Sequence, residues 1–197
     1  MPSAVPILPR LAGFVRPLRR GDEARLQEFF RSHTPDTIHD RYGGAVTTMS
    51  EERARELVGV DQARDCALGI FSRDGRTLHA VGRYCLDPVG DSAELAFVVR
   101  ESRRRRGLGT RLLHLLIAAA RERGLRRLWA QVDVHNAGML GIFRRHQFTL
   151  WAERDAAEVR AVLDLTPPTQ GGSCTPCGLK PARSAGSTKL TPDQDFS

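Results

Sequence analysis

No run of about 18 uninterrupted apolar residues occurs anywhere in the 197 residues, so no membrane-spanning helix and no membrane partner are expected. The opening stretch, MPSAVPILPRLAGF, has no basic segment followed by an apolar one, and three prolines interrupt it. A secretory signal is therefore not expected, and cytoplasmic residence is the default expectation. Cysteine is scarce, with four residues at 66, 85, 174 and 177. Cys66 and Cys85 fall in apolar, strand-like runs, where a reduced thiol behaves as a small hydrophobe. Cys174 and Cys177 have the spacing of a zinc knuckle, but no second Cys or His pair lies nearby. Structural zinc takes four ligands, and His114, His135 and His146 have no metal spacing, so no metal site is expected. The Walker pattern GxxxxGK[ST] is missing, and so is GxGxxG, because Gly109 is followed by Thr110-Arg111-Leu112. Internal repeats are missing too.

What is present bounds one domain. Apolar residues make up 41% of the chain, enough to fill a core of ordinary size. Residues 1–13 read as an N-terminal extension, 14–165 as the domain and 166–197 as a tail rich in Pro, Gly, Ser and Thr. Such a tail buries too little apolar surface to offset its ordering entropy and is expected to be flexible.

The net charge of +7 is local. Between Arg100 and Arg127 stand ten arginines against two glutamates, so the rest of the chain carries no positive excess. Nucleic-acid binding spreads cations along a track, whereas a patch around one helix start suits a specific anion. A nucleic-acid partner is therefore not expected.

Hydrophobic periodicity gives the element order. A strand is expected at Phe14–Leu18, then a helix capped by Asp22 and running to His33, with Leu26, Phe29 and Phe30 inward. A second helix covers Pro35–Tyr42, and Ser50 caps a third that runs to Val60. Cys66–Ser72 and Arg76–Leu86 are strands around the turn signal Asp74-Gly75. Ala93–Val99 is a third apolar strand. A helix over 107–123 follows, with Leu108, Leu112, Leu115, Leu116 and Ala119 on one stripe, and Gly124 stops it. Leu128–Val132, a helix over Asn136–His146, and strands at Phe148–Ala152 and Val159–Leu165 complete the series. The order predicts an α/β fold, a mixed sheet with helices on both faces.

The segment RRRRGLGTRLLHLL, residues 103–116, places four arginines and two glycines at the start of the 107–123 helix. Backbone N–H groups at a helix start lack internal partners, and the macrodipole adds roughly half a positive charge. Glycines remove the Cβ that would hold a phosphate off, and arginines add charge-assisted bonds. Arg104, Arg105, Arg106, Gly107, Leu108, Gly109 and Thr110 thus form a candidate pyrophosphate site.

The hexapeptide Arg104-Arg105-Arg106-Gly107-Leu108-Gly109 fits R/Q-x-x-G-x-G/A. Between an apolar strand and a helix, it resembles the acyl-CoA pyrophosphate loop of the GNAT superfamily of N-acyltransferases. Asn136 through Phe143 to Phe148 matches in spacing the later helix of that superfamily. The resemblance covers about residues 14–165. It is nearest to the catalytic domain of Pat-type protein lysine acetyltransferases, on "VRPLRRGDEARLQEFFRSHTPDTIHDRY", "SEERARELVGVD" and "AELAFVVRESRRRRGLG". No stretch resembles the acyl-CoA synthetase half or the cyclic-nucleotide domain of larger relatives.

The resemblance implies a mostly antiparallel twisted sheet with the cofactor in a splay between central strands. It implies acetyl-CoA as cosubstrate, with Phe97, Val98 and Val99 offering backbone N–H groups to the thioester and pantetheine. Asn136 is expected either to contact the cofactor or to cap its own helix, and the two roles are compatible. The chemistry needs a base, because an amine with a pKa near 10 is protonated at neutral pH and cannot attack a thioester. Glu94 is the candidate base, expected to be buried with a raised pKa; the competing reading pairs it with an arginine on the sheet face. Phe143 stands where the superfamily often has a proton-donating Tyr, and Gln147 where it usually has Gly. The acceptor implied is an amine, first a protein lysine, otherwise a small-molecule amine. A non-catalytic CoA-binding regulator is the other alternative, and the chain is expected to be a monomer or homodimer.

Overall fold

The structure is a computed structural model and describes residues 13–42, 47–61, 65–88, 90–153, 156–166 and 187–189. The extension up to residue 12, most of the tail, and the Cys174/Cys177 pair lie outside the described residues. Strands follow the order β1-β2-β3-β4-β5-β7-β6-β8 in one mixed sheet. The chain forms two compact units, divided between Arg83 and Tyr84, Leu95 and Ala96, and Leu116 and Ile117.

In the first unit β1 (Gly13–Pro17) pairs antiparallel with β2 (Cys66–Ser72), from Gly13↔Ser72 to Pro17↔Leu68. A Cβ on Gly13 would lie 1.9 Å from the Phe71 carbonyl oxygen, so the close approach requires glycine. Three helices precede β2: α1 (Glu23–Arg31), α2 (Pro35–Tyr42) and α3 (Glu51–Val58). The inward stripe of α1 is the expected one, with Leu26, Phe29 and Phe30 buried beside Ala54, Val58 and Phe71. Ser50 caps α3 as its sequence suggests, its hydroxyl accepting from the Arg53 N–H at 3.1 Å.

Asp22 does not cap α1, contrary to expectation. Its buried carboxylate accepts from both terminal nitrogens of Arg16 at 2.6 and 2.8 Å and from the Arg19 N–H at 3.1 Å. Burial pushes the carboxyl upward, but Arg16, the Arg19 N–H and Arg25 together hold it below the usual range. A bidentate guanidinium is a stronger partner than a helix N–H, so the fork of Arg16 takes the place of the cap. Arg16 in turn lies 3.9 Å over the Phe71 ring.

β3 (Leu78–Leu86) and β4 (Ser92–Val99) each begin in one unit and end in the other. α4 (Leu108–Glu122) buries Leu108, Leu112, Leu113, Leu116, Ile117 and Ala120. Leu115 and Ala119, expected on the inward stripe, are only half-buried. The stripe at i, i+4, i+5 is turned by one residue from the expected one.

In the second unit β5 (Arg127–Asp133) pairs antiparallel with β7 (Glu158–Asp164) over seven residues, and β6 (Thr149–Glu153) pairs with the far side of β7. Period-2 alternation buries Leu128, Ala130, Val132, Val159, Ala161 and Leu163 on one face of β5 and β7. The other face carries Arg127, Trp129, Gln131, Arg160, Val162 and Asp164. A short strand not expected from the tail's composition, β8 (Ser187–Lys189), adds antiparallel to β6.

α5 (Ala137–Arg145) ends in a Schellman turn. The Phe148 N–H donates to the Phe143 carbonyl and the Gln147 N–H to the Arg144 carbonyl, each at 3.1 Å. Gln147 has φ +62°, the left-handed conformation that glycine adopts without strain. Phe143 is fully buried, its ring 4.6 Å from that of Phe148, so the two aromatics close the turn as its apolar contact.

Candidate active site

β4 carries the candidate residues of both units. Its ladder with β5 is parallel and spans three pairs, Ser92↔Arg127, Ala93↔Leu128 and Glu94↔Trp129. Glu94 is the last paired residue and lies in the second unit. The strand alternates, so Ala93 and Leu95 are buried and Glu94 is exposed. The expected burial of this carboxylate is therefore overturned, since the side chain projects from the face opposite its apolar neighbours. Among the described residues no ion pair joins an arginine to Glu94. Glu94 stands as an accessible acceptor beside Trp129. The Trp129 indole N–H donates to Asp87 at 3.0 Å, which fixes the ring.

From Ala96 onward β4 belongs to the first unit. The side chains of Phe97 and Val98 are buried and Val99 is half-buried. Phe97 and Val98 can therefore meet a ligand through their backbone only. The chain then makes one 3₁₀ turn over Glu101–Arg103 and enters the loop before α4. Two residues of that loop are left-handed, Arg105 at φ +58° and Gly107 at φ +78°. A left-handed non-glycine residue is strained, so this turn holds an uncommon shape. The first turn of α4 contains no acid, as is also true of α5, whereas those of α1, α2 and α3 contain Glu23, Asp36 and Glu51. The orphan N–H groups of Leu108, Gly109 and Thr110 therefore face no competing carboxylate from their own turn, as an anion site needs.

The arginines divide into two sets. Arg100 is held by Glu28, whose two oxygens accept at 3.1 and 2.6 Å, and Arg104 donates to Thr37 Oγ1 at 2.6 Å and to the Val99 carbonyl at 3.4 Å. Arg105 and Arg106 are exposed. Arg104 thus tethers backbone and α2, and Arg105 and Arg106 are the cations available to an anion at the helix start.

Sequence reasoning passed over Glu101, which organises this loop. Its Oε1 accepts from the Thr34 N–H at 2.8 Å, the Thr34 hydroxyl at 2.8 Å and the Thr37 hydroxyl at 2.9 Å. The Thr34 N–H bond is the main reason its carboxyl sits below the usual range. The loop is thereby fastened to the α1–α2 junction. One acid at a strand end amid arginines was the available signal. Next to it, His33 is buried and neither ring nitrogen has a hydrogen-bond partner. Burial lowers its pKa to about 4.

Asn136 caps α5, its Oδ1 accepting from the Met139 N–H at 3.0 Å. Phe143 lies in the core and carries no dissociable proton. Among the described residues no group of three or more metal-binding side chains occurs, and no helix is long and apolar enough to cross a membrane.

Known proteins resemble the chain over this same region. An acetyltransferase of Pseudomonas aeruginosa is 27% identical over 127 residues, 64% of this chain and 68% of that protein. The GNAT domain of S. lividans PAT superposes with a TM-score of 0.70 and 26% identity, covering 77% of this chain and 90% of that one. YncA of Salmonella typhimurium, a putative acetyltransferase solved with acetyl-CoA, shares the fold at TM-score 0.62 and 18% identity, covering 83% and 100%. The family model for acetyltransferase (GNAT) proteins matches residues 26–148, more than half of the chain, from α1 through the β4–α4 loop to the close of the α5 turn, and the chain belongs to that family.

Proposed function

We propose that the chain transfers an acetyl group from acetyl-CoA to the side-chain amine of lysines on folded proteins. The observation that carries the reading is the composition of one strand, β4. Its paired end presents an accessible carboxylate, Glu94, and its other end leads into an acid-free helix start flanked by exposed Arg105 and Arg106. The protein-lysine acceptor follows the resemblance of residues 15–42, 50–61 and 93–109 to Pat-type protein lysine acetyltransferases.

In this reading the N–H groups of Leu108, Gly109 and Thr110 receive the pyrophosphate, with Arg105 and Arg106 alongside. Phe97, Val98 and Val99 contribute backbone groups to the pantetheine and thioester. Glu94 takes the proton of the lysine ammonium, directly or through one water. The freed nitrogen attacks the thioester carbonyl carbon, the new C–N bond forms, the nitrogen gives up its second proton to solvent water and the C–S bond breaks. CoA leaves as a thiolate, which collects its proton from solvent because Phe143 has none to give. Asn136 remains the cap of α5 and lends order to that helix start.

Labelled acetyl-CoA, incubated with the chain and a native protein extract, tests this against the same extract denatured and against polyamines and aminoglycosides. Label on a few native proteins supports the reading. Fast, saturable transfer to a small amine, with only slow nonspecific protein labelling, overturns it. The chain itself has two lysines, Lys180 and Lys189, so self-labelling at lysine is confined to two positions.

A further inference from the structure

The open face of the second unit holds a shallow cleft of about 390 Å³, lined by Trp129, Thr149, Trp151, Arg160 and Val162 and ended by the Arg127–Asp164 ion pair at 3.1 Å. Trp151 is 38% exposed, a large apolar side chain left in water. β5 and β7 put Asp133, Glu158 and Asp164 on this face against Arg127 and Arg160. Glu94 stands exposed beside Trp129, and Asp87 accepts the Trp129 indole N–H, so acids are in excess here among the described residues.

The strand directions say what crosses this face. β7 and β8 both run antiparallel to β6, so they are parallel to each other with β6 between them. β7 ends at Asp164, at one end of the cleft, and β8 opens at Ser187 opposite Glu153, two residues beyond the Trp151↔Arg160 pair. Between them the chain returns about 20 Å along the strands and steps about 10 Å across β6. Residues 167–186 are long enough, since a chain of that length spans at most about 70 Å extended. β6 bars the way in the plane of the sheet, so the crossover passes over one face. Crossovers between parallel strands of one sheet are right-handed in about 98% of cases. α5 makes such a crossover from β5 to β6, parallel because both oppose β7. It buries Leu140 and Phe143 while the open-face residues stay exposed or half-buried, so α5 packs on the buried face. From β7 to β8 the chain takes the same step along the sheet with the strand direction reversed. Reversing direction at an unchanged step moves a right-handed crossover to the opposite face, which is the face with the cleft.

We infer that this cleft is the seat of the chain's own residues 167–186, docked as a Pro-rich segment on Trp129 and Trp151. The segment's chemistry suits the face. It contains Pro167, Pro168, Pro176 and Pro181, and aromatic-lined grooves take Pro-rich chain because its extended form loses little entropy on docking. Its charged residues are Lys180 and Arg183, both cations, against a face with an excess of acids. A segment too poor in apolar residues to build a core can still dock on one. Glu94, on β4, lies outside the span from β7 to β8, so this seating holds whichever amine is the acceptor.

The test uses the full chain with Cys85→Ser and Cys177→Ser, labelled with bimane at Cys174 near the middle of the segment; Cys66 is buried. Trp129 and Trp151 are the only two tryptophans of the chain, and tryptophan quenches bimane on contact. The folded chain should lose about half or more of the emission that it has in urea, because tethering supplies an effective concentration on the order of mM. Trp151→Phe should restore most of that emission, with circular dichroism as the check on folding. The double change Lys180→Glu and Arg183→Glu, which touches no core residue, should also restore it, and added salt should weaken the quenching. Equal emission in the folded chain and in urea, or quenching that survives both Trp151→Phe and Trp129→Phe, overturns the inference. Quenching that returns when labelled Trp151→Phe chain is mixed with unlabelled wild type places the segment on a second copy and overturns it as well.

Discussion

Replacing Glu101 by alanine removes the fastening between the β4–α4 loop and the α1–α2 junction. One carboxylate oxygen accepts three bonds, from the Thr34 N–H, the Thr34 hydroxyl and the Thr37 hydroxyl. Bonds to charged groups contribute about 1.5–3 kcal/mol each when desolvated. The Glu101 side chain is 30% exposed, so water replaces part of the loss. Buried Thr37 keeps Arg104 as a partner at 2.6 Å. The sum expected is about 1–2 kcal/mol, or a fall in Tm of roughly 3–6 °C for a chain of this length. Its pH dependence identifies the cause. The folded pKa of Glu101 lies below its ordinary 4.5, so the ionised form stabilises the fold above about pH 4.5, and that contribution disappears as pH falls through the folded value. Urea denaturation of wild type and Glu101→Ala at pH 7 and below pH 4 measures both. The two proteins should differ at pH 7 and converge in acid. In a Thr37→Val background the Glu101→Ala cost should shrink by about 0.5 kcal/mol or more, because the pair share a bond. A difference under about 0.3 kcal/mol at pH 7, or one of equal size at both pH values, would refute the reasoning.

Gly109→Val puts branched carbons at the proposed phosphate approach, so acetyl-CoA affinity by calorimetry should weaken by roughly tenfold or more, about 1.4 kcal/mol, in a protein that still folds. Glu94→Gln keeps shape and removes basicity, so turnover near neutral pH should fall by about 10² with cofactor affinity nearly unchanged; normal turnover across pH would end the base assignment. Gln147→Gly relieves a left-handed residue at a helix end and should raise stability by about 1 kcal/mol, read as a higher urea midpoint at an unchanged slope. His33 stays neutral in the fold down to about pH 4, while its ordinary value is 6.5. The unfolded chain therefore binds the extra proton first, and stability should decline between pH 6.5 and 4 by up to about 3 kcal/mol, a decline that His33→Phe should largely remove.

Much of the fold was legible because its signals are local. Pro35–Tyr42 and Cys66–Ser72 match the expected elements to the residue, and the others differ by a few residues at their ends. Their apolar periods and turn residues lie within the segments themselves. The failures share a cause of the opposite kind. Asp22 has the sequence position of a cap, but a guanidinium six residues earlier competes for its oxygens and wins. β8 is three residues long and owes its pairing to an available edge of β6, which no local pattern announces. The stripe of α4 was off by one residue because apolar residues fill every position of LLHLLIAAA but His114, which makes 3.6-residue phase hard to read from it alone.

The candidate site divides along the same line. A helix start, its glycines and its arginines are contiguous, so the loop could be found by reading along the chain. Which arginines face outward could not, because Arg104 is withdrawn by Thr37, 67 residues away in sequence. Glu94 could be singled out as a carboxylate in an apolar strand, and that same isolation suggested burial. Alternation decides otherwise, since the buried side chains of Ala93 and Leu95 flank position 94 and place it on the other face of the strand. What Glu94 faces there is set by β5 and β7, paired in an order that the sequence does not carry locally, so the Trp129–Arg160 stack beside it emerges only from the register. The residues proposed to hold the cofactor are thus encoded in one segment, whereas Glu94, Trp129 and Arg160 come from three strands and are brought together only by their pairing.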